Sequence, residues 1–398
     1  MVTTSPPVVD RRRRALDRVW PSRARQRRRN ARPRTPPPAV FYVIAAVVGS
    51  FVLMGLVMVL SASSISLVNH GHSPWRLFNR QLVWALFGFA GLGVSWSIPL
   101  RQWRRMVTVL LGVGFALMCL PLVPGLAARA NSANEWVAVG GLTFQPSEFL
   151  KLAVILYCAR LFAAREAEMT DLGRTLRPVL TVALVAVGLC LLQGDFGSCV
   201  VLVSIVFVMS FIAGTPIVPL ALTGMTGATG GFLFALSSKR RANRFTAFLN
   251  ITGNRDHLSY QTWQGMIAIA QGGLTGQGPG RGSALLGDYL PLAQSDFIFA
   301  VIAQDFGLIG VIGVLGGYLL LVYAGVQVAL ATSDRFASLV AAGIVGWLAV
   351  QTTINVGGVT GLMPLTGLTL PFFSAGGTSL FLSMTAAGLL LSIARNAA

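Results

Sequence analysis

From residue 40 to residue 394 the chain keeps returning to one pattern, a run of about 20 largely apolar residues followed by a polar break. Ten such runs fall at about 40–60, 80–99, 106–124, 147–163, 178–194, 197–214, 217–236, 297–327, 336–358 and 371–394. In lipid each backbone N–H and C=O must find its partner within the protein, and for runs of this length the helix is the natural solution. The expected fold is all-α, a polytopic integral membrane protein with ten transmembrane helices. Composition excludes a soluble domain: only 11% of the 398 residues are charged, against about a quarter in soluble domains.

The formal charge of +18 is unevenly spread. Residues 1–38 hold twelve arginines against Asp10 and Asp17, a net +10, together with proline runs at 6–7 and 36–38. This segment lacks apolar periodicity and is expected to be a disordered cytoplasmic tail, with the membrane domain spanning 39–398. An arginine-rich arm can bind nucleic acid. One that directly precedes a membrane span acts first as a positive-inside anchor beside anionic lipid, so no nucleic-acid partner is expected. With the amino terminus inside, ten spans return the carboxyl terminus to the same side. Loops 100–105 and 160–177, the latter with Arg160, Arg165, Arg174 and Arg177, then face inward, as the rule requires. The long outer loop 237–296 is basic too, with Lys239, Arg240, Arg241, Arg244, Arg255 and Arg281. Long loops cross regardless of charge, and a basic outer loop suits an anionic ligand at the surface.

Ionisable residues at membrane depth are costly and point to function. By span parity, Glu148 and Lys151, Asp195 and Asp296 come from three separate regions to the outer face. Each also has a plainer reading. Glu148 follows Pro146 in a first helical turn and can pair with Lys151 three residues on. Asp195, in a glycine-flanked turn, suits a helix cap. Asp305 lies nine residues beyond Asp296, about 13 Å deeper and on the opposite helix face, so the two form no dyad. It is expected to pair within the bundle. The glycine-rich stretch 272–282 reads as a turn after the semi-apolar YQTWQGMIAIAQ, a candidate short re-entrant helix. Four cysteines in apolar runs, and His70 and His72 without a carboxylate, suggest neither a disulfide frame nor a metal site.

Several long stretches then agree with one family. GLVMVLSASS (55–64), NEWVAVGGLTFQPSEFLKLAVILY (134–157), LLQGDFGS (191–198), YQTWQGMIAIAQGGLTGQG (260–278), DFIFAVIAQDFGLIG (296–310) and NVGGVTGLMPLTGLTLPFFSAGGTSL (355–380) occur in order. The chain resembles the FtsW/RodA (SEDS) family of peptidoglycan polymerases along residues 40–394, and its first and last stretches look closer to the division-type branch. The resemblance implies ten transmembrane helices with a large fourth outer loop. It further implies polymerisation of lipid II outside the bacterial cytoplasmic membrane, and a class B penicillin-binding protein as partner. Asp296 matches the family's catalytic aspartate, and Glu148 and Lys151 match its polar QPSE-x-x-K pair. The chain departs from the pattern at Leu292 and Gln294, where Glu and His are common, at Glu135 for an arginine, at Gln304-Asp305 for a Glu-Glu pair, and at Ala375 for an aromatic residue.

That chemistry needs one base. The acceptor's sugar hydroxyl attacks the anomeric carbon, lipid diphosphate leaves, and the configuration inverts once. An alcohol leaving group would need an acid, whereas a diphosphate needs only charge stabilisation. Asp296 is the candidate catalytic base. Candidate substrate-binding residues are Gln145, Ser147, Glu148 and Lys151, Gln294 and Ser295, and the cations Lys239, Arg240 and Arg244 for the diphosphate. A divalent cation, Mg or Mn, is an alternative for the last task, although no protein cage for one is visible. A lipid II flippase and a non-catalytic scaffold for the transpeptidase are the competing functions.

Overall fold

The structure, a computed structural model, describes residues 38–123, 127–130, 133–139, 142–236, 239–282 and 289–396. The arginine-rich tail lies outside the described residues. The chain forms helices α1 (Pro38–Asn69), α2 (Arg76–Ser97), α3 (Leu100–Cys119), α4 (Pro146–Ala164), α5 (Leu176–Gln193), α6 (Phe196–Ala213) and α7 (Ile217–Leu236). The rest are α8 (Lys239–Leu249), α9 (Tyr260–Gly272), α10 (Ile298–Ala331), α11 (Arg335–Val359) and α12 (Gly377–Asn396). Among the described residues eight helices are long and apolar enough to cross a membrane: α1, α2, α3, α5, α6, α10, α11 and α12. The other two expected spans are helices as well. In α4, however, the apolar run is interrupted by Glu148, Lys151 and Arg160, and the apolar part of α7 is only Ile217–Phe232.

Helices α11 and α12 are the buried centre of the bundle, and α2 packs along α12 at close range. The approach depends on missing side chains: a Cβ on Gly388 would fall 2.3 Å from the Leu92 carbonyl oxygen. Ser95 Oγ uses the proximity to donate to the Thr385 carbonyl at 2.8 Å. Small residues substitute here for a hydrophobic driving force, which lipid does not supply between helices.

One element departs from an all-helical reading. Ahead of α4 the chain forms a three-stranded antiparallel sheet, β1 (Ala127–Ala130), β2 (Ala133–Val139) and β3 (Leu142–Phe144). Strands β2 and β3 pair from Val137 against Phe144 to Val139 against Leu142. This segment lies between apolar runs, so its backbone is not bound by the helix requirement.

Candidate active site

Helix α5 ends at Gly194, whose φ of 83° is a left-handed stop that glycine adopts without steric cost. The turn makes Asp195 the N-cap of α6. Its Oδ1 accepts from the Ser198 backbone N–H at 2.8 Å, satisfying one of the donors a helix start leaves open. Its other oxygen reaches across to α4: Asp195 Oδ2 accepts from Gln145 Nε2 at 3.1 Å and from Ser147 Oγ at 2.9 Å. Ser198 Oγ completes the clasp by donating to Ser147 Oγ at 3.0 Å. Gln145 and Ser147 thus act on the protein's own aspartate, holding together the QPSE and QGDFGS stretches.

One turn further along α4, Lys151 Nζ stands 2.8 Å from Glu148 Oε1, with both side chains buried. Nζ also donates to Gln351 Oε1 of α11 at 3.2 Å. Gln351 is held in turn by Trp347 Nε1 at 2.7 Å, and its own Nε2 donates to the Thr369 carbonyl at 3.0 Å. A buried ammonium is tolerable only when paired and hydrogen-bonded in this way.

Asp296 lies just before α10, in a turn that Leu292 enters with a φ of 56°. The backbone here is stitched to the α11–α12 connection. Asn355 Nδ2 donates both to the Asp296 carbonyl at 2.9 Å and to the Leu368 carbonyl at 2.7 Å. Ser374 Oγ donates to the Ser295 carbonyl at 2.6 Å, and the Ala375 N–H to the Gln294 carbonyl at 2.8 Å. Gly367, with φ 74°, brings bare backbone beside the carboxylate: a Cβ there would sit 3.6 Å from Asp296 Oδ2.

These three constellations open onto one cleft of about 820 Å³. Glu148, Asp195, Ser295 and Asp296 line it, along with Gln145, Glu135 and Trp136 of β2, and Leu292 and Ala375. Lys151 and Gln294 do not line it; Lys151 stays behind Glu148 as its counter-ion. Helix α8 contributes Ala247 and Phe248 to the wall, while the side chains of Lys239, Arg240 and Arg244 lie outside the described residues. The sequence reading missed the cation that is in the wall, Arg80 near the start of α2. Its Nη2 donates to Thr143 Oγ1 of β3 at 2.7 Å. An arginine inside an apolar run near its outer end was the available signal. Among the described residues no group of three His, Cys, Asp or Glu side chains is placed to hold a metal ion.

Residues 41–398 match the family model described as Cell cycle protein, FtsW/RodA/SpoVE. The chain belongs to this family. It is 36% identical over 351 residues to the Trichlorobacter lovleyi protein named Probable peptidoglycan glycosyltransferase FtsW, covering 88% of this chain and 92% of that one. It is 35% identical over 342 residues to Stage V sporulation protein E of Bacillus subtilis, covering 86% and 93%. Among solved structures, a chain from "Structural coordination of polymerization and crosslinking by a peptidoglycan synthase complex" superposes with a TM-score of 0.73 at 28% identity, over 92% of this chain and 99% of that one. The Thermus thermophilus rod shape determining protein RodA superposes at 0.65 with 29% identity, over 89% and 96%. Family membership and the eight apolar helices together make the chain an integral membrane protein.

In this member of the FtsW/RodA/SpoVE family the glycine-rich stretch after α9 has a structural use. Helix α10 breaks at Gly307 (φ 63°, ψ −156°), which frees backbone groups that lipid could not satisfy. The stretch supplies their partners: Gln277 N–H donates to the Gln304 carbonyl at 2.9 Å and Gly278 N–H to the Asp305 carbonyl at 3.0 Å. In return Leu308 N–H donates to the Gly273 carbonyl at 2.9 Å. Helix α9 runs alongside the first part of α10, with Gly265 against the Phe297 ring and Gly272 against the Ala303 carbonyl. Asp305 pairs within the bundle, Oδ2 accepting from Ser61 Oγ of α1 at 2.6 Å. It does not line the cleft.

Proposed function

We propose that this protein is a peptidoglycan glycosyltransferase that joins lipid II units into β-1,4 glycan strands at the outer face of the bacterial cytoplasmic membrane. The observation that carries the reading is the single cleft into which Asp296, Glu148, Asp195 and Arg80 are delivered by four separate regions of the chain. The names of the relatives point the same way.

Asp296 is the base. As the acceptor's sugar 4-hydroxyl attacks the anomeric carbon of the growing strand, its proton passes to the Asp296 carboxylate. The bond from that carbon to the diphosphate oxygen breaks, and the electron pair leaves with the lipid diphosphate. The protein supplies charge stabilisation to that leaving group through Arg80, supplemented by the α8 cations Lys239, Arg240 and Arg244. Glu148 and Asp195, each tied to its own partners, shape the polar wall on which the sugars lie. A class B penicillin-binding protein is the proposed partner, supported by the likeness to a synthase complex that couples polymerization and crosslinking. The proposed topology keeps both termini, including the 1–38 tail, in the cytoplasm.

The decisive experiment is lipid II polymerisation by the purified protein with its transpeptidase, comparing the wild type with Asp296→Asn. Strands from the wild type and none from a folded Asp296→Asn variant are expected. Equal product from both would remove Asp296 as the base.

A further inference from the structure

Three consecutive carbonyls in the turn that carries Asp296 each accept a hydrogen bond from α11 or from the connection between α11 and α12. The Ala375 N–H donates to the Gln294 carbonyl at 2.8 Å, Ser374 Oγ to the Ser295 carbonyl at 2.6 Å and Asn355 Nδ2 to the Asp296 carbonyl at 2.9 Å. Among the described residues two that are not glycine have left-handed backbone, and both lie in the segments these bonds join. They are Leu292, with φ 56°, and Phe372, with φ 68°. Bulky residues keep such angles only where the surrounding contacts hold them, and strain of this kind gathers at functional sites.

Asn355 has the most demanding task of the three donors. Its one amide nitrogen also donates to the Leu368 carbonyl at 2.7 Å, in the segment Thr366–Thr369 that lines the cleft beside the Asp296 carboxylate. Turning the amide over would set Oδ1 against both carbonyl oxygens, so the nitrogen has to face them. That orientation leaves Oδ1 buried with no hydrogen-bond partner among the described residues, at a cost in stability. The position gives up one acceptor to keep two donors in place. Gln351, one turn earlier on the same face of α11, donates to the next carbonyl, Thr369, at 3.0 Å and accepts from Lys151, the counter-ion of Glu148. One face of one helix thus ties the Glu148 wall and the Asp296 turn to two adjacent carbonyls.

We propose that Asn355 is a positioning residue for the glycosyl-transfer base, fixing the Asp296 turn against the Leu368 backbone so that the carboxylate stands at a set place in the cleft. The inference rests on Asp296 being that base. Asn355 does not line the cleft, so it acts through Asp296 and not on the substrate. Proton transfer requires the carboxylate within hydrogen-bond reach of the attacking hydroxyl, whereas the sugars can bind beside a displaced base. Loss of Asn355 therefore falls on kcat and spares KM.

The test measures lipid II polymerisation by the full-length protein with its transpeptidase, as kcat per folded molecule and KM, alongside thermal unfolding. Asn355→Leu, of nearly the same size, should lower kcat about 10–100-fold and leave KM within about twofold. Asn355→Gln keeps the amide donor and should recover part of the rate. Ser374→Ala removes a second tie to the same turn and should show the same split at smaller size, which keeps the proposal testable where Asn355→Leu does not fold. Ser338→Ala loses a buried 2.7 Å bond to the Ala329 carbonyl at the other end of α11, and should lower the unfolding temperature with kcat unchanged. Unchanged kcat in folded Asn355→Leu and Ser374→Ala would overturn the proposal, as would equal loss of kcat in Asn355→Leu and Ser338→Ala. Asp296→Asn in the same assay separates the two readings. An active Asp296→Asn removes the base itself; an inactive one beside a fully active Asn355→Leu keeps the base and removes the role of Asn355.

Discussion

Lys151 and Glu148 form an ion pair at 2.8 Å in which the ammonium is wholly buried and the carboxylate nearly so, yet only the carboxylate belongs to the cleft wall. The pair therefore divides its work. Glu148 faces the site, and Lys151 fixes Glu148 to α11 through Gln351. Removing one partner strands a buried charge, which costs about 3–5 kcal/mol, whereas removing both can be close to neutral. Lys151→Met should accordingly lower thermal stability in detergent sharply, and the double variant Glu148→Gln with Lys151→Met should recover most of the loss. A double variant no more stable than Lys151→Met would show that the pair is not what couples these positions.

Asp195 accepts three hydrogen bonds from buried or capping donors. Asp195→Ala leaves those donors unmet and should destabilise the protein by about 2–3 kcal/mol. Asp195→Asn keeps an oxygen acceptor and should unfold at a temperature between those of Asp195→Ala and the wild type. Differential scanning fluorimetry on the three proteins decides the order.

Arg80 is the described cation in the cleft. If it holds the diphosphate, Arg80→Gln should lower kcat/KM for lipid II by about 10–100-fold, the range of a lost hydrogen bond to a charged group. Arg80→Lys should restore part of the rate while lacking the bidentate fork. Unchanged steady-state polymerisation in Arg80→Gln would move the diphosphate site elsewhere, to the α8 cations first.

The seam between α9 and α10 depends on glycine. A Cβ at Gly276, already at φ 80°, would lie 2.2 Å from the Asp305 carbonyl oxygen, and backbone cannot yield as a flexible side chain does. Gly276→Ala should lower both stability and polymerisation. Gly313→Ala, within α10 away from the seam and with nothing within 4 Å of the new Cβ, should be neutral in both assays. Equal behaviour of the two would show that the seam tolerates displacement.

What was legible in the sequence was whatever membrane burial imposes locally. Runs of apolar residues declare helices because lipid offers the backbone no other partner, and charged residues inside or beside those runs stand out because they are costly. That logic found the helices, singled out Glu148, Asp195 and Asp296, and anticipated the cap at Asp195. It could not say which groups face the cleft and which support it. Gln145, Ser147 and Lys151 were candidate ligands for a substrate; the fold ties Gln145 and Ser147 to Asp195 and Lys151 to Glu148, a pairing the sequence already offered, while Gln145 keeps a place in the cleft wall. Arg80 carried no readable role in the sequence; its bond to Thr143 of β3 and its place in the cleft wall exist only in the fold. The glycine-rich stretch carried no readable motif, because its task is to satisfy the backbone of a helix broken at Gly307, some 30 residues later in the chain. Sequence determined the elements through rules that act within one turn or one span. Apart from the local Glu148–Lys151 pair, the polar groups found their partners through contacts between residues about 50 to more than 200 positions apart, and only the packed bundle makes those contacts.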